Sequence, residues 1–314
     1  VLIQVQYAGV CGSDLHAYRG VHAFRKPPVM LGHELSGTIV ERGSRVAGLE
    51  LGQAVTVMPQ LGCGRCSACK SGRVNLCSSK TLPGMQSWMG AFGEFFVAPA
   101  SVVCPLGDVP LDLGAMTEPL AVATHVMSRM PKEHSEDLVI LGAGAIGLLL
   151  LLIAPEYGFR RVLVTDVVDE NLALARQLGA AGAVNVKKEN AVQEVQALFG
   201  QEGTGQTIIA AGGPDILDQA IQITKPGGHI VYFAMIVKEM TLNTYPIVFK
   251  ELNLLGSLNY TLEDFATAIQ LLEKKGESIR RIITHVLPME QAAKAFEILD
   301  NKTEFAVKIL LKNQ

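Results

Sequence analysis

The stretch Val139-Ile140-Leu141-Gly142-Ala143-Gly144-Ala145-Ile146-Gly147-Leu148 sets Gly-x-Gly-x-x-Gly after an apolar, strand-like run and at the head of an apolar, helix-like one. Each glycine answers a separate demand: Gly142 the tight turn, Gly144 the close approach of a pyrophosphate, Gly147 the packing of helix on strand. The first helical turn, with Ala145 and Ile146, then offers unpaired N–H groups and a positive dipole end to phosphate oxygens. The next β-prone run ends in Asp166, 19 residues beyond Gly147. A carboxylate there can accept hydrogen bonds from ribose hydroxyls and repels a 2′-phosphate. Val167 to Asn171 bring no Arg or Lys, so the pattern predicts NAD rather than NADP, with Asn171 beside Asp166 on the cofactor side. Pro155 falls two turns into the helix and is expected to kink or end it.

Outward from this motif, β-prone runs at 138–141, 161–165, 183–186, 207–210, 229–234 and 252–255 alternate with helix-length segments. That rhythm predicts βαβ units and a parallel sheet covered by helices on both faces. Before residue 120 the texture differs: short β runs at 35–40, 54–58 and 93–97 separated by turn residues suggest a barrel-like β unit. Toward the end, helical spacing recurs at 262–275 and 291–299, and a β-prone run closes the chain at 305–311. The 314 residues favour two domains at roughly 100–200 residues each.

Composition removes several classes of function. With 27 basic against 30 acidic residues the net charge is −3 and unclustered, which argues against a nucleic-acid surface. At 49% hydrophobic and 18% charged the chain can bury large cores and is not of disordered composition. The longest apolar run, 138–154, is too short and too glycine-rich to span a bilayer, so no membrane role is expected. No secretion signal opens the chain, although it also starts without Met, so residues upstream are expected.

Cys63-x2-Cys66-x2-Cys69-x7-Cys77 lies among Gly62, Gly64, Ser67, Gly72 and Asn75, residues that suit a loop wrapped round a tetrahedral ion. Four thiolates close such a site to substrate, which predicts a structural zinc. An iron–sulfur cluster or two disulfides are the alternatives. The same cysteines point to a reducing, cytoplasmic compartment.

Three further strings carry metal-ligand types: Gly9-Val-Cys11-Gly-Ser13-Asp14-Leu-His16, Gly32-His33-Glu34 and Thr117-Glu118-Pro119-Leu120. None is specific by spacing alone. Together with the cysteine lobe and the glycine turn, however, they resemble the zinc-dependent medium-chain alcohol dehydrogenases, and more closely the sorbitol (polyol) dehydrogenase branch. The likeness runs from Val1 to about Leu311 and includes Thr284-His285-x-x-Pro288.

The resemblance implies an α/β chain in which a Rossmann doubly wound parallel sheet at 121–257 interrupts a β-rich GroES-like catalytic domain at 1–120 and 258–314. The N-terminal strands of that domain are expected to be missing ahead of Val1. It also implies two zinc ions per chain. Cys11 and His33 match ligands of the catalytic one. Glu34 matches the sorbitol-branch third ligand, or else a carboxylate orienting its neighbours. Glu118 matches a carboxylate that holds the zinc-bound water or ligates directly. A hydroxyl on zinc loses its proton near neutral pH, and hydride passes to NAD.

The family relay would carry the proton from Ser13 through the nicotinamide ribose to His16, unless His16 is a solvated loop side chain. Phe233, Met235 and Asn259 fall at cofactor-contacting positions, with Asn259 and Tyr260 on a loop lining the cleft between the domains. Two departures touch the nicotinamide end: Ile209 and Ala210 stand where relatives carry an acidic residue before Gly212, and Phe233-Ala234-Met235 replaces Val-Gly-Leu.

The expected activity is NAD-linked, reversible oxidation of a secondary alcohol of a polyol to a ketone by a homotetramer or homodimer. A phosphorylated polyol, sugar acid or small diol is the rival substrate, with Arg19, Arg25 and Lys26 as the nearest cations. A non-catalytic NAD-binding zinc-thiolate sensor or scaffold is the rival from another class. The remaining histidines are read as structural: His22, His134 and His229 as solvated, His125 as core or interface. Cys104 is read as a buried apolar side chain.

Overall fold

In a computed structural model of the chain, which describes residues 1–85, 87–131, 136–234 and 241–314, the short apolar runs become strands wherever turn residues bracket them. The first five are β1 (Leu2–Val10), β2 (Glu34–Glu41), β3 (Ala54–Val57), β4 (Phe95–Val97) and β5 (Val103–Pro105). They are followed by β6 (Asp137–Leu141), β7 (Arg161–Asp166), β8 (Gly182–Asn185), β9 (Thr204–Ile209), β10 (Thr224–Tyr232) and β11 (Asn253–Gly256). The chain closes with β12 (Ile283–Pro288) and β13 (Lys308–Lys312).

Contacts divide the chain into one compact unit of Val1–Ala121 with Tyr260–Gln314 and a second of Val122–Asn259. In the first, the sheet runs β12-β13-β1-β2-β3-β5, with β4 also on β1. β1 pairs antiparallel with β2 so that Gly9 faces Glu34, and with β13 so that Val10 faces Ile309. This register makes the ends of three strands distant in sequence meet at Gly9, Glu34 and Lys308. Side chains such as Ile3, Val5, Leu35, Ile39 and Leu310 are buried beneath them.

The second unit is a sheet of order β11-β10-β9-β6-β7-β8 in which every pairing is parallel. Read from β8 this is the doubly wound order, whose direction reverses between β6 and β9, the place where such sheets bind ligands. The helix Ala145–Ile153 is buried from Gly147 to Ile153, and each buried leucine contributes roughly 1.5–3 kcal/mol. As Pro155 requires, the α-helix stops at Ile153 and the chain continues as a 3-10 turn, Ala154–Tyr157. Among the described residues no helix is long and apolar enough to cross a membrane.

Candidate functional site

Cys11 follows β1 directly and is the N-cap of the helix Gly12–Tyr18, which carries Ser13, Asp14 and His16. His33 and Glu34 arrive at the start of β2. The ligand atoms of Cys11, His33 and Glu34 all lie within 4.8 Å of one another, and His33 and Glu34 are buried. One sulfur, one imidazole and one carboxylate at this separation suit a divalent transition metal with a position to spare.

Asp14, fully buried, organises the set. Its Oδ2 accepts from the Cys11 N–H at 3.2 Å and its Oδ1 from the Gly32 N–H at 3.4 Å, while His33 Nδ1 stands 3.3 Å from Oδ1. Burial opposes charge on both partners, yet their attraction prevails: the carboxyl of Asp14 is lowered and His33 is raised well above its usual value. A carboxylate behind an imidazole fixes the ring and its tautomer for a metal on the other nitrogen.

Two carboxylates flank the set, each with its own partner. Glu34 forms a buried ion pair with Lys308, whose Nζ also donates to the Val10 carbonyl at 3.2 Å. Burial would lower Lys308, but the charges of Glu34 and Cys11 hold it above its ordinary value. Gly9 makes room for the pair, since a Cβ there would lie 2.0 Å from Glu34 Oε2 and 3.1 Å from Lys308 Cε. Glu118, on the first turn of the helix Thr117–Ser128, is outside the ligand cluster. Its Oε1 accepts from the Tyr260 hydroxyl at 2.8 Å, and burial with the nearby Glu34 pushes its carboxyl up. Tyr260 is itself buried and pushed far up by burial and by Glu118.

Ser13 Oγ lies 3.5 Å from Cys11 Sγ and accepts from Arg25 Nη1 at 2.9 Å. His16, one turn on, is partly exposed. Two of the three histidines read as solvated are corrected: His22 Nδ1 accepts the N–H groups of Phe24 and Arg25, both at 3.1 Å, and His229 lies inside β10 with a buried Nδ1. Of the three proposed cations, Arg19 is exposed but paired with Asp300, Arg25 is buried, and Lys26 is exposed with a single long contact to the Gly20 carbonyl.

Around the four-cysteine loop, the sulfurs of Cys63, Cys66, Cys69 and Cys77 also fall within 4.8 Å of one another, and all are free thiols. The N–H groups of Arg65 and Cys66 pull the Cys63 thiol down to about 6. Gly62 must lack a side chain, because a Cβ would sit 2.6 Å from Cys69 Sγ. Cys104 lies apart on β5, where burial lifts its thiol to about 11.

In the parallel sheet, Gly142 adopts φ +115° and a Cβ on Gly147 would strike the Gly142 carbonyl at 1.9 Å, so both glycines are sterically required. Gly144 is different: a Cβ there meets nothing within 4 Å. It leaves an open cradle at the N-terminus of the helix Ala145–Ile153, which has no side-chain cap, as a phosphate site needs. Asp166 is turned inward, accepting from Ala143 N at 2.7 Å, Val167 N at 2.7 Å and Val168 N at 2.9 Å. It thereby ties β7 to the glycine turn. Asn171 lies in the first turn of the next helix, Asp169–Gln177, Phe233 follows β10, and Asn259 takes a positive φ of 50°. Met235 and His134 lie outside the described residues.

Residues 1–108 match the model of the alcohol dehydrogenase GroES-like domain, and residues 145–274 that of the zinc-binding dehydrogenases. The D-xylulose reductase A of Aspergillus niger is 31% identical over 95% of this chain and 85% of its own length. The chain belongs to the zinc-binding alcohol dehydrogenases. Solved structures agree with that membership. The short chain alcohol dehydrogenase of E. coli CFT073, complexed with NADH, superposes with a TM-score of 0.90 at 29% identity, covering 99% of this chain and 91% of that one. Galactitol-1-phosphate dehydrogenase from Escherichia coli does so with 0.89 at 30% identity, covering 99% and 92%.

Four residues of this dehydrogenase's site have roles that sequence reasoning missed: Asp14 behind His33, Arg25 on Ser13, Tyr260 on Glu118 and Lys308 on Glu34. Lys308 alone left a signal, a lysine set between the apolar Val307 and Ile309-Leu310-Leu311. Asp14 stands between Ser13 and His16 with no spacing that ties it to His33, and nothing local connects Arg25 with Ser13 or Tyr260 with Glu118.

Proposed function

We propose that the protein catalyses the reversible, NAD-linked oxidation of a secondary alcohol of a polyol to a ketone. The observation that carries this reading is the convergence of Cys11, His33 and Glu34, backed by Asp14 and flanked by Glu118. In this reading Cys11, His33 and Glu34 hold a catalytic zinc, with Glu34 as third ligand because its carboxylate falls within the ligand cluster and that of Glu118 does not. Cys63, Cys66, Cys69 and Cys77 hold a second, structural zinc. When bound, zinc supplies the charge that favours loss of a hydroxyl proton, and NAD takes the hydride.

The chain's own residues then do the rest. Gly144 and the N–H groups of Ala145, Ile146 and Gly147 receive the pyrophosphate, and Asp166 disfavours a 2′-phosphate. Asn171, Phe233, Met235 and Asn259 complete the cofactor's surroundings, and Ser13 and His16 carry the proton outward. The xylulose reductase relative supports a polyol substrate. Arg25, buried against Ser13 and Pro83, supports a neutral substrate over a phosphorylated one. The free cysteines support a reducing, cytoplasmic setting. A dimer or tetramer is supported by the open edge of β11, beside the exposed Leu254 and Leu258.

The test is NAD reduction by the zinc-loaded protein across polyols, polyol phosphates, aldonates and small diols, with and without a zinc chelator. Chelator-sensitive turnover of free polyols is expected, with two zinc ions per chain by metal analysis. Turnover confined to phosphates would replace the substrate class, and none at all would return the chain to a sensing role.

A further inference from the structure

Arg25 is a buried cation in a loop, with 6% of its side chain exposed, and its position is fixed from several sides. Its Nε donates to the Pro83 carbonyl at 3.2 Å, and its own N–H and that of Phe24 are bound by His22 Nδ1. Gly84, at φ +82°, leaves it room: a Cβ there would lie 3.0 Å from Nε. The nearest recorded carboxylate oxygen, Asp14 Oδ1, is 3.7 Å away and already faces His33. Nη1 instead contacts Ser13 Oγ, at 2.9 Å.

We propose that Arg25 is a positioning residue that gives the Ser13 hydroxyl its direction. The inference rests on the proposed role of Ser13 as a proton carrier. Guanidinium can only donate, so Ser13 Oγ must accept from it. The single Ser13 hydrogen is thereby turned away from Arg25, and Cys11 Sγ at 3.5 Å lies on the side it can reach. Of the two acceptor sites on the oxygen one is filled and one is left. In the proposed relay a substrate hydroxyl would give its proton to that remaining site on Oγ while Ser13 gave its own hydrogen to the ribose of bound NAD, so that Ser13 stays a neutral hydroxyl throughout. A serine without this neighbour could equally well donate to the substrate oxygen, the orientation that blocks transfer out. The partly buried, charge-assisted bond is stronger than a neutral one and makes the orientation persistent.

The test combines Ser13→Ala, Arg25→Met, Arg25→Lys and the double variant S13A/R25M, assayed with D-xylulose and NADH in zinc-loaded protein. Arg25→Met is expected to lower kcat about tenfold with little change in the KM for NADH, and Arg25→Lys to recover part of the loss. In the S13A background the same change is expected to cost nothing further, since a residue acting through Ser13 has nothing left to act on. Metal content should stay at the wild-type value throughout. A crystal structure of Arg25→Met should show Ser13 Oγ released into a second rotamer. Guanidinium ions at millimolar concentration should restore turnover to Arg25→Ala, and urea, of similar shape but uncharged, should not.

An equal loss in the S13A background, loss of zinc from Arg25→Met, or an unmoved Ser13 rotamer would each overturn the proposal. If Ser13→Ala turned over at the wild-type rate, the relay itself would fall and the inference with it. Slow Ser13→Ala beside fast Arg25→Met would remove the inference alone.

Discussion

Single residues decide the chemistry here through partners that sequence spacing does not reveal. Lys308 and Glu34 are both almost wholly buried, and each is the other's charge partner. Taking one charge from such a pair strands the other in a poor solvent for ions, which costs about 3–5 kcal/mol. Lys308→Met is therefore expected to lower the stability of the protein by that order, read from chemical denaturation, whereas Lys308→Arg should lose much less. Equal stability for both would mean that Glu34 does not need a cation. Asp166 carries a second prediction. Its carboxylate serves three backbone N–H groups of the glycine turn and of its own strand end, so Asp166→Ala should weaken NAD binding about tenfold or more and lower the melting temperature together. Relative use of NADP should rise as the negative charge disappears. An unchanged ratio of KM for NADP to KM for NAD would refute its role in cofactor choice. The glycine turn was legible from sequence because its constraints are local, a matter of Cβ atoms and backbone angles. Lys308 and Arg25 were not, because strand register and loop closure bring them to their partners.

At the scale of elements, the differences between pattern and structure have identifiable causes. The strand expected at 229–234 begins earlier, as β10 starts at Thr224 and absorbs Lys225-Pro226-Gly227-Gly228 in a shift of register. The helical spacing expected at 262–275 continues further, because the helix Leu262–Arg280 runs through Gly276. A Cβ on Gly276 would lie 2.6 Å from Leu113 Cδ1, so the glycine there serves close packing against the short helix Leu111–Gly114 rather than termination. The continued turn also brings Arg280 to Asp112, with bonds of 2.7 and 3.2 Å to its two carboxylate oxygens. Burial raises the Asp112 carboxyl, but the guanidinium outweighs it and holds the group below its ordinary 3.8. A carboxyl depressed on folding stabilises above its unfolded pKa and loses that contribution as pH falls through the folded one. Asp112→Asn should thus cost about 1 kcal/mol near neutrality, as a partly exposed, two-bond pair does, and nothing in strong acid. Denaturation midpoints of both proteins across that range decide it; a gap that widened toward low pH would contradict the assignment.

For the whole molecule, the parallel pairing of the second sheet followed from the alternation of β-prone and helix-length runs and its doubly wound arrangement from the resemblance, whereas the surfaces that would govern assembly carry no motif. β11 ends the sheet with its outer edge unpaired among the described residues. Beside it in sequence, Tyr245, Val248 and Phe249 are exposed at 69%, 75% and 75%, with Tyr245 stacked on Phe249, and Leu254 and Leu258 are exposed on and just beyond the strand. An open strand edge flanked by apolar side chains is a template for pairing with another chain, and isolated monomers normally protect such edges with charge, proline or a bulge. Leu254 and Leu258 carry none of that protection, and a second copy of the same edge would supply both the missing ladder and an apolar partner. Phe249→Asp with Leu254→Lys places charge on the patch without touching the glycine turn or any of the zinc-ligand candidates. Light scattering after gel filtration should then give a mass at or above twice 33.6 kDa for the wild type and near 33.6 kDa for the double variant. A wild type already at the single-chain mass would end the proposal of an oligomer, and an assembled double variant would move the interface to another face.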